Sequence, residues 1–225
     1  IAEKLLDSSS ARWIRGKVLR IARSSDASRY RVEAKLSGAE HWEEDYDLVF
    51  LAAPQYDSEL EIIVASKEKL TIARKYQQIF ATFFRVPPTS SSLACTDPPG
   101  GTILSTAGGN FNSLGQYDTT SGSGPQIWKS FSNSPLDVDS EKALFPEKPQ
   151  ETYAWWAYPV YDTEDERGRE IPFCLDDHGL FYCNAIEAAA SAMEMAVIGA
   201  KNCVLLAKNR LKGLTEKIDK TRSKL

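Results

Sequence analysis

The segment 179–207 constrains the fold of this chain most, because a short apolar strand is followed there by small residues and then by a long apolar helix. The apolar run predicts a strand over residues 180–186. Ser191 and Glu194 form an S-x-x-E capping box, which predicts that the helix begins near Ser191. The polar side chains of the helix fall on one narrow stripe, which is typical of deep burial. Gly213 is placed to end the helix in the left-handed conformation.

The start of this helix also has the properties of a cofactor-binding surface. The first backbone N–H groups of a helix have no intrahelical partner and lie at the positive end of the helix dipole. Ala188, Ala189, Ala190 and Ala192 surround it, and such small, uncharged side chains let a flat ligand approach the backbone. The alternative is a buried core helix that is well capped, and the pattern alone favours this alternative.

The overall composition limits the function classes. The chain has 225 residues, enough for one large domain or two smaller ones, and a net charge of −4. This acidic balance argues against a broad nucleic-acid surface, which needs clustered Lys and Arg. No uncharged run is long enough to span a bilayer, since Lys201 interrupts the apolar helix. Because the sequence begins with Ile1 and not Met, we expect it to be a piece of a longer protein.

Cysteine and histidine residues are too scattered to predict a catalytic or metal centre. The four cysteines lie far apart, without a C-x-x-C pair or zinc spacing: Cys95, Cys174, Cys183 and Cys203. The pattern favours core thiols at Cys183 and Cys203, whereas a disulfide between Cys95 and Cys174 is left open. The two histidines, His41 and His178, lie beside predicted turns and favour a surface role.

Most of the remaining order is predicted to be β-structure. Residues 17–21 and 30–36 form two strands around a polar turn, and 76–86 and 102–106 form two more. The nearly continuous apolar run 46–53 is typical of a strand buried on both faces of a parallel sheet. A further ordered segment is predicted at 127–131, after a loop-rich region over 87–125.

An aromatic segment at residues 154–161 has two interpretations. Trp155, Trp156 and Tyr158 either line an apolar pocket for a long hydrocarbon ligand or pack in a core or between domains. Their spacing does not separate the two.

Four blocks of sequence resemble the C-terminal region of the prenylcysteine oxidase (prenylcysteine lyase) family. They are DLVFLAAP (47–54), IWKSFS (127–132), AWWAYPVY (154–161) and NAIEAAASAMEM (184–195), in the order that the family has them. More remotely, the arrangement is similar to that of flavin amine oxidases. The resemblance covers most of the chain beyond Tyr46 and is weakest over 87–125.

The resemblance implies an FAD-dependent thioether oxidase that cleaves farnesylcysteine or geranylgeranylcysteine to cysteine, a prenyl aldehyde and hydrogen peroxide, with oxygen as acceptor. It implies that FAD lies against the helix start, at Glu187, Ser191, Ala192, Met193 and Glu194, with Glu187 ending the preceding strand. The prenyl chain is then expected at Trp155, Trp156 and Tyr158. No metal is implied, and no catalytic residue is assigned, because the cofactor carries out the difficult step.

The implied fold is α/β, with an α+β substrate part, and belongs to a two-domain FAD oxidase of the flavin amine oxidase type. Residues 1–56 form a β-meander and return strand of the FAD-binding domain, 57–178 the substrate-binding region, and 179–225 the strand and helix that return to the FAD domain. The G-x-G-x-x-G fingerprint is absent, so we expect the Rossmann half to be incomplete and the fragment alone to be inactive. Its partner would be the missing N-terminal half.

Two other functions and two compartments stay open. A flavin amine oxidase-like enzyme and a non-catalytic lipid-binding module on the same scaffold are the alternatives. The family resemblance implies a lysosome or vacuole. The final Ser223-Lys224-Leu225 matches a peroxisomal import signal, which makes the peroxisome the minority expectation.

Overall fold

The computed structural model describes residues 2–24, 29–55, 59–64, 69–72, 75–87, 102–105, 110–117, 125–145, 149, 151–161 and 171–214. The chain divides into two compact units, the first formed by residues 1–74 and 161–225 and the second by residues 75–160. The division into segments 1–56, 57–178 and 179–225 with separate roles stays a prediction.

The described elements follow one another in chain order. They are α1 (Ala2–Ser8), β1 (Gly16–Arg23), β2 (Tyr30–Leu36), β3 (His41–Tyr46), β4 (Val49–Leu51), β5 (Glu61–Ile63), β6 (Tyr76–Val86), β7 (Thr102–Leu104), β8 (Ser113–Tyr117), β9 (Gln126–Ser132), α2 (Val138–Leu144), β10 (Glu151–Pro159), β11 (Leu180–Tyr182), a 3₁₀ helix (Cys183–Ala188) and α3 (Met193–Leu211).

The first unit contains a four-stranded sheet in the order β3-β2-β1-β5, in which β1 and β5 are parallel and the other pairs antiparallel. Apolar and charged residues alternate along β2, so Tyr30, Val32 and Ala34 are buried while Arg31 is exposed. A second sheet consists of β4 and β11 in parallel. Both sheets contribute to one core, in which Ile21 is clustered with buried side chains of β2 and β11.

The predicted strands of this unit are partly confirmed. The strand over 30–36 is confirmed, and the one over 17–21 extends to Gly16–Arg23. The proposed turn over 24–26 falls largely outside the described residues. The prediction of one strand over 46–53 is wrong, because Tyr46 ends β3 and a bend at Asp47 separates it from the short β4. The parallel pairing predicted for this run is confirmed, with Phe50 opposite Phe181.

The strand predicted over 180–186 is wrong beyond Tyr182. Its parallel partner β4 ends at Leu51, which lies opposite Tyr182. Beyond that point the backbone satisfies its hydrogen-bonding groups locally, in the 3₁₀ helix Cys183–Ala188. The chain therefore leaves the sheet after Tyr182 and forms this short helix before α3 begins.

Helix α3 buries only one stripe, so the expectation of deep burial is wrong for the described residues. The buried positions are Gly199, Cys203, Leu206 and Ala207, which share one face at helical spacing. Large apolar side chains on other faces are exposed, among them Met193, Val197, Ile198, Val204 and Leu205. The predicted C-terminus is confirmed, since Gly213 has a φ of 71° and its N–H donates to the carbonyl oxygen of Arg210.

The second unit is one antiparallel sheet, in the order β10-β6-β9-β8-β7, with α2 packed on one face. The strand predicted over 76–86 is confirmed, as are shorter strands within 102–106 and around 127–131. Helix α2 was not predicted. Its N-cap is Asp137, whose carboxylate accepts a hydrogen bond of 2.7 Å from the Ser140 N–H. Phe145, just beyond α2, packs against Phe84 and Trp128 in the core.

Candidate cofactor and substrate surfaces

The start of α3 is open, which contradicts the predicted capping box. The N-cap is Ala192, not Ser191, and no side-chain hydrogen bond caps it. Glu194 therefore lies at the second helical position, too early to complete an S-x-x-E box. The first intrahelical bond runs from the Ala196 N–H to the Ala192 carbonyl oxygen, at 3.0 Å. The N–H groups of the first turn are thus available to an external acceptor.

Four of the five residues predicted to contact the cofactor lie together at the start of α3, and the fifth, Glu187, lies in the preceding 3₁₀ helix. Ser191, Ala192, Met193 and Glu194 are consecutive and exposed at this helix start, and Met193 retains 73% of its accessible surface. Glu187 was predicted to end a strand, and that prediction is wrong. It lies in the preceding 3₁₀ helix, where its carboxylate accepts a hydrogen bond of 2.9 Å from the Asn184 amide.

A buried polar cluster that the sequence reasoning missed holds the loop in front of β11. One carboxylate oxygen of Asp176 accepts hydrogen bonds from the N–H groups of His178, Gly179 and Leu180, at 3.0–3.1 Å. The Arg210 guanidinium donates to the Asp176 carbonyl oxygen at 3.2 Å. The Asp176 side chain is 5% exposed, so these bonds replace its hydration. The sequence feature that could have revealed this cluster is the D-D-H-G turn before an apolar strand.

Tyr30 completes this cluster from the other side. Its hydroxyl group donates to the second Asp176 oxygen and accepts the Gly179 N–H at 2.8 Å. Burial and the hydrogen bond to Asp176 raise the pKa of Tyr30 well above its ordinary value. The cluster therefore fixes β11 relative to β2 and to the C-terminal end of α3. His178 itself is exposed, as its predicted surface position requires.

The three aromatic residues predicted to bind substrate do not share one face of the sheet. Trp155 lies opposite Ile79 and Trp156 opposite Gln78, so the two tryptophans point to opposite faces of β10. A bulge then places Tyr158 opposite Gln77, on the face that carries Trp155. Trp155 and Trp156 are 41% and 45% exposed, so neither is a core residue of the described unit.

Trp155 belongs to an aromatic face of the second unit, made of Tyr117, Phe83, Phe131, Tyr153 and Trp155. Phe131 meets Trp155 edge-on at 5.9 Å between ring centroids, and Phe83 meets Tyr153 edge-on at 6.0 Å. The Lys129 ammonium lies 4.5 Å from the centroids of both Tyr117 and Phe131. This face can contact an apolar chain over several rings and offers a cation at one end.

The first unit has an apolar groove of about 860 Å³. It is lined by strands β1 to β4 and the segment after β4, with Val18, Trp42, Phe50 and Pro54 among the lining residues. Phe50 stacks on Phe181 at 5.2 Å between centroids but remains 40% exposed. The groove was not predicted, because it depends on how two separate sheets meet.

Two further features are absent from the described part of the chain. No group of three or more His, Cys, Asp or Glu side chains there is arranged to hold a metal ion. No described helix is long and apolar enough to cross a membrane. Cys95 lies outside the described residues, so the question of its pairing with Cys174 stays open, and the tail over 215–225 also lies outside them.

Comparison with known proteins gives a consistent result. A family model for prenylcysteine lyase matches residues 1–220. Prenylcysteine oxidase 1 of Bos taurus is 27% identical over 247 residues, which cover 97% of this chain and 47% of the relative. The Homo sapiens protein of the same name is 38% identical over 102 residues, 43% of this chain and 18% of the relative. The chain thus spans about half the length of the Bos taurus and Mus musculus relatives that match it throughout, 47% in both cases.

The fold is similar to that of a solved putrescine oxidase variant redesigned in its cofactor binding. The TM-score is 0.50 at 13% identity, over 84% of this chain and 47% of the other. This likeness concerns the mixed α/β fold alone.

Proposed function

This chain belongs to the prenylcysteine lyase family, and we propose that the full-length protein is an FAD-dependent oxidase of prenylcysteine thioethers. The reaction consumes farnesylcysteine or geranylgeranylcysteine, water and oxygen, and releases cysteine, a prenyl aldehyde and hydrogen peroxide. The observation that carries this proposal is the family match over residues 1–220, together with oxidase relatives aligned to 97% of the chain.

The proposed chemistry requires neither a nucleophilic side chain nor a metal ion. When bound, the flavin would take a hydride from the allylic carbon next to sulfur and pass two electrons to oxygen. The carbon–sulfur bond breaks, and the oxygen atom of water ends in the aldehyde. The protein then has to bind the prenyl chain, orient the thioether and control water, and aromatic and backbone groups are suited to these tasks.

The start of α3 fits the edge of a flavin ring. We assign cofactor contacts to Glu187, Ser191, Ala192, Met193 and Glu194. The supporting observation is the uncapped first turn of α3, which presents N–H donors at the positive end of a long helix. Small alanine side chains before the helix leave the backbone open to a planar group.

Two features of the first unit favour a further nucleotide-binding half: a parallel sheet of only two described strands and exposed apolar side chains on α3. The parallel pair β4 and β11 has only two strands among the described residues, whereas parallel sheets are usually larger and buried on both faces. Val197 and Val204 on α3 are 65% and 56% exposed. We propose that the remaining Rossmann half extends this sheet and covers α3, which agrees with relatives of about twice the length.

For the substrate, the geometry favours Trp155 and Tyr158 over Trp156. Trp155 belongs to the aromatic face, Tyr158 lies on the same side of β10, and Trp156 lies on the opposite side. A prenyl chain is long, flat in segments and apolar, so a row of edge-on aromatic rings offers it continuous contact.

Peroxide release by the full-length protein tests the proposal. We expect a flavin absorbance band, and peroxide after adding farnesylcysteine but not putrescine. Peroxide from putrescine alone would favour the amine oxidase alternative, which the fold of the putrescine oxidase neighbour supports. Binding of farnesylcysteine without any flavin would favour a non-catalytic lipid-binding module.

The compartment follows from the same proposal. We place the protein in the lysosome or vacuole, where prenylated proteins are degraded, with the peroxisome as the alternative. A fluorescent reporter carrying residues 214–225 distinguishes them. Import of the reporter into peroxisomes, lost on deleting Leu225, would overturn the lysosomal placement if the full-length protein is found in peroxisomes as well.

A further inference from the structure

Three cysteine side chains that the proposed reaction does not use come together beneath α3. Cys174 forms an isolated bridge with Phe181 in β11, Cys183 begins the 3₁₀ helix, and Cys203 lies on the buried stripe of α3. Cys203 is fully buried, and Cys174 and Cys183 pack around it in one cluster with Phe181 and Leu206. Residues distant in sequence thus present three thiols to one another.

Gly199 brings the 3₁₀ helix against α3 at closest range. A Cβ atom on Gly199 would lie 2.6 Å from the Cys183 carbonyl oxygen. This distance is a steric clash, which glycine avoids because it has no Cβ atom. Cys203 follows Gly199 by one helical turn and so lies on the same face of α3. Cys183 packs against the buried Cys203 in the same apolar cluster. The pair is therefore held by backbone packing as well as by its own contact.

We propose that Cys183 and Cys203 form a disulfide when the protein meets hydrogen peroxide, tying the 3₁₀ helix to α3. Cys183 is partly exposed and can be reached by a small oxidant, whereas Cys203 is enclosed and can act as the resolving thiol. The inference rests on the proposed function only for the natural source of peroxide.

The electrostatics favour the same order of events. The hydrogen bond from Cys203 lowers the pKa of Cys183, while that bond and burial raise the pKa of Cys203. The Cys183 thiolate attacks one peroxide oxygen, the O–O bond breaks, and the departing hydroxide takes up a proton to form water. The Cys203 sulfur then attacks the sulfur of the Cys183 sulfenic acid. The S–O bond breaks, and the hydroxyl leaves with the Cys203 proton as the second water.

The test is disulfide mapping in the full-length protein after treatment with added hydrogen peroxide. Remaining thiols are alkylated, and the unreduced protein is digested with trypsin and chymotrypsin. Trypsin separates Cys203 from the other two at Lys201, and chymotrypsin separates Cys174 from Cys183 at Tyr182. We expect a linked peptide pair containing Cys183 and Cys203, lost on adding dithiothreitol.

Matched variants decide between the thiols. Cys183→Ser should abolish the link, whereas Cys174→Ser and Cys95→Ser should retain it. Because Cys203 is buried, Cys203→Ala is used at that site, with the thermal melting temperature as the check on folding. The proposal is overturned by a link through Cys174 or Cys95, or by sulfinic acid at Cys183 without a link. A linked protein that oxidises no thioether would contradict the proposed function and leave this inference intact.

Discussion

The hydroxyl group of Tyr30 donates a hydrogen bond to the buried carboxylate of Asp176, which joins the second strand of the chain to the loop before β11. The same tyrosine oxygen accepts the Gly179 N–H. The Gly179 carbonyl oxygen in turn accepts a hydrogen bond of 2.8 Å from the Val49 N–H, which begins the pairing with β4. One hydroxyl group therefore sets where the parallel pair starts.

Removing that hydroxyl group should destabilise the first unit. Tyr30→Phe leaves one buried Asp176 oxygen without its hydrogen-bond donor, and the Gly179 N–H keeps only its 3.1 Å bond to the other Asp176 oxygen. This loss costs about 1–3 kcal/mol in free energy of unfolding. The matched control is Tyr46→Phe, whose hydroxyl group contacts the more exposed Glu44 and should matter little. Urea denaturation measures both. Equal losses in the two variants would contradict the assigned role.

The same hydrogen bond predicts a stability change at alkaline pH. The pKa of Tyr30 is raised in the folded state, so the stability linked to its proton is fully present below its ordinary value of 10.0. That stability is lost as pH rises above 10. The advantage of the native protein over Tyr30→Phe should therefore shrink between pH 10 and 11, and a pH-independent difference would refute this linkage.

Gly199→Ala tests the contact between α3 and the 3₁₀ helix. The added methyl group would lie 2.6 Å from the Cys183 carbonyl oxygen and 3.0 Å from the Ile186 side chain. Overpacking of this kind costs about 1–3 kcal/mol, more than the roughly 1 kcal/mol that alanine gains in helix propensity. We expect a lower melting temperature. Gly38→Ala, which meets no atom within 4 Å, is the control and should change it little.

Met193→Asp separates cofactor binding from helix stability. A carboxylate in the first turn should stabilise α3 by about 0.3–1 kcal/mol through the helix dipole. If the flavin lies at this helix start, the same carboxylate should repel the electron-rich edge of its ring and lower the flavin content of the purified enzyme. Met193→Leu should retain the flavin. Normal flavin content in the aspartate variant would sink the cofactor assignment.

The opposite directions of Trp155 and Trp156 allow a paired substrate test. Trp155→Ala should raise the KM for geranylgeranylcysteine roughly 2- to 10-fold, because an aromatic contact contributes about 0.5–1.5 kcal/mol. Trp156→Ala removes the same side chain from the other face of β10 and should leave the KM nearly unchanged. Steady-state kinetics with both prenyl lengths measure the effect. The reverse ranking would move the prenyl site to the other face.

The local sequence pattern was sufficient to predict those strands and helix ends whose structure depends mainly on their own residues. The strands Tyr30–Leu36 and Tyr76–Val86 were predicted to the residue, since apolar and polar residues alternate along the first and the second is rich in aromatic and apolar residues. Gly213 was identified as the end of α3 because only a residue tolerant of positive φ fits there. The family was also evident from sequence blocks, and the match over residues 1–220 confirms it.

Tertiary structure decided what depends on a partner distant in sequence. The strand after Gly179 stops at Tyr182 because β4 ends opposite it, and α3 begins after Ala192 even though Ser191 offers a better cap. A bulge, invisible in the composition of β10, turns Tyr158 to the face of Trp155. The Tyr30–Asp176 bond likewise has no local signature, because its members lie 146 residues apart. The sequence alone determined the family and the hydrophobic periodicity of individual strands and helices. Strand pairing and burial in the tertiary structure determined which of these local preferences the fold adopts.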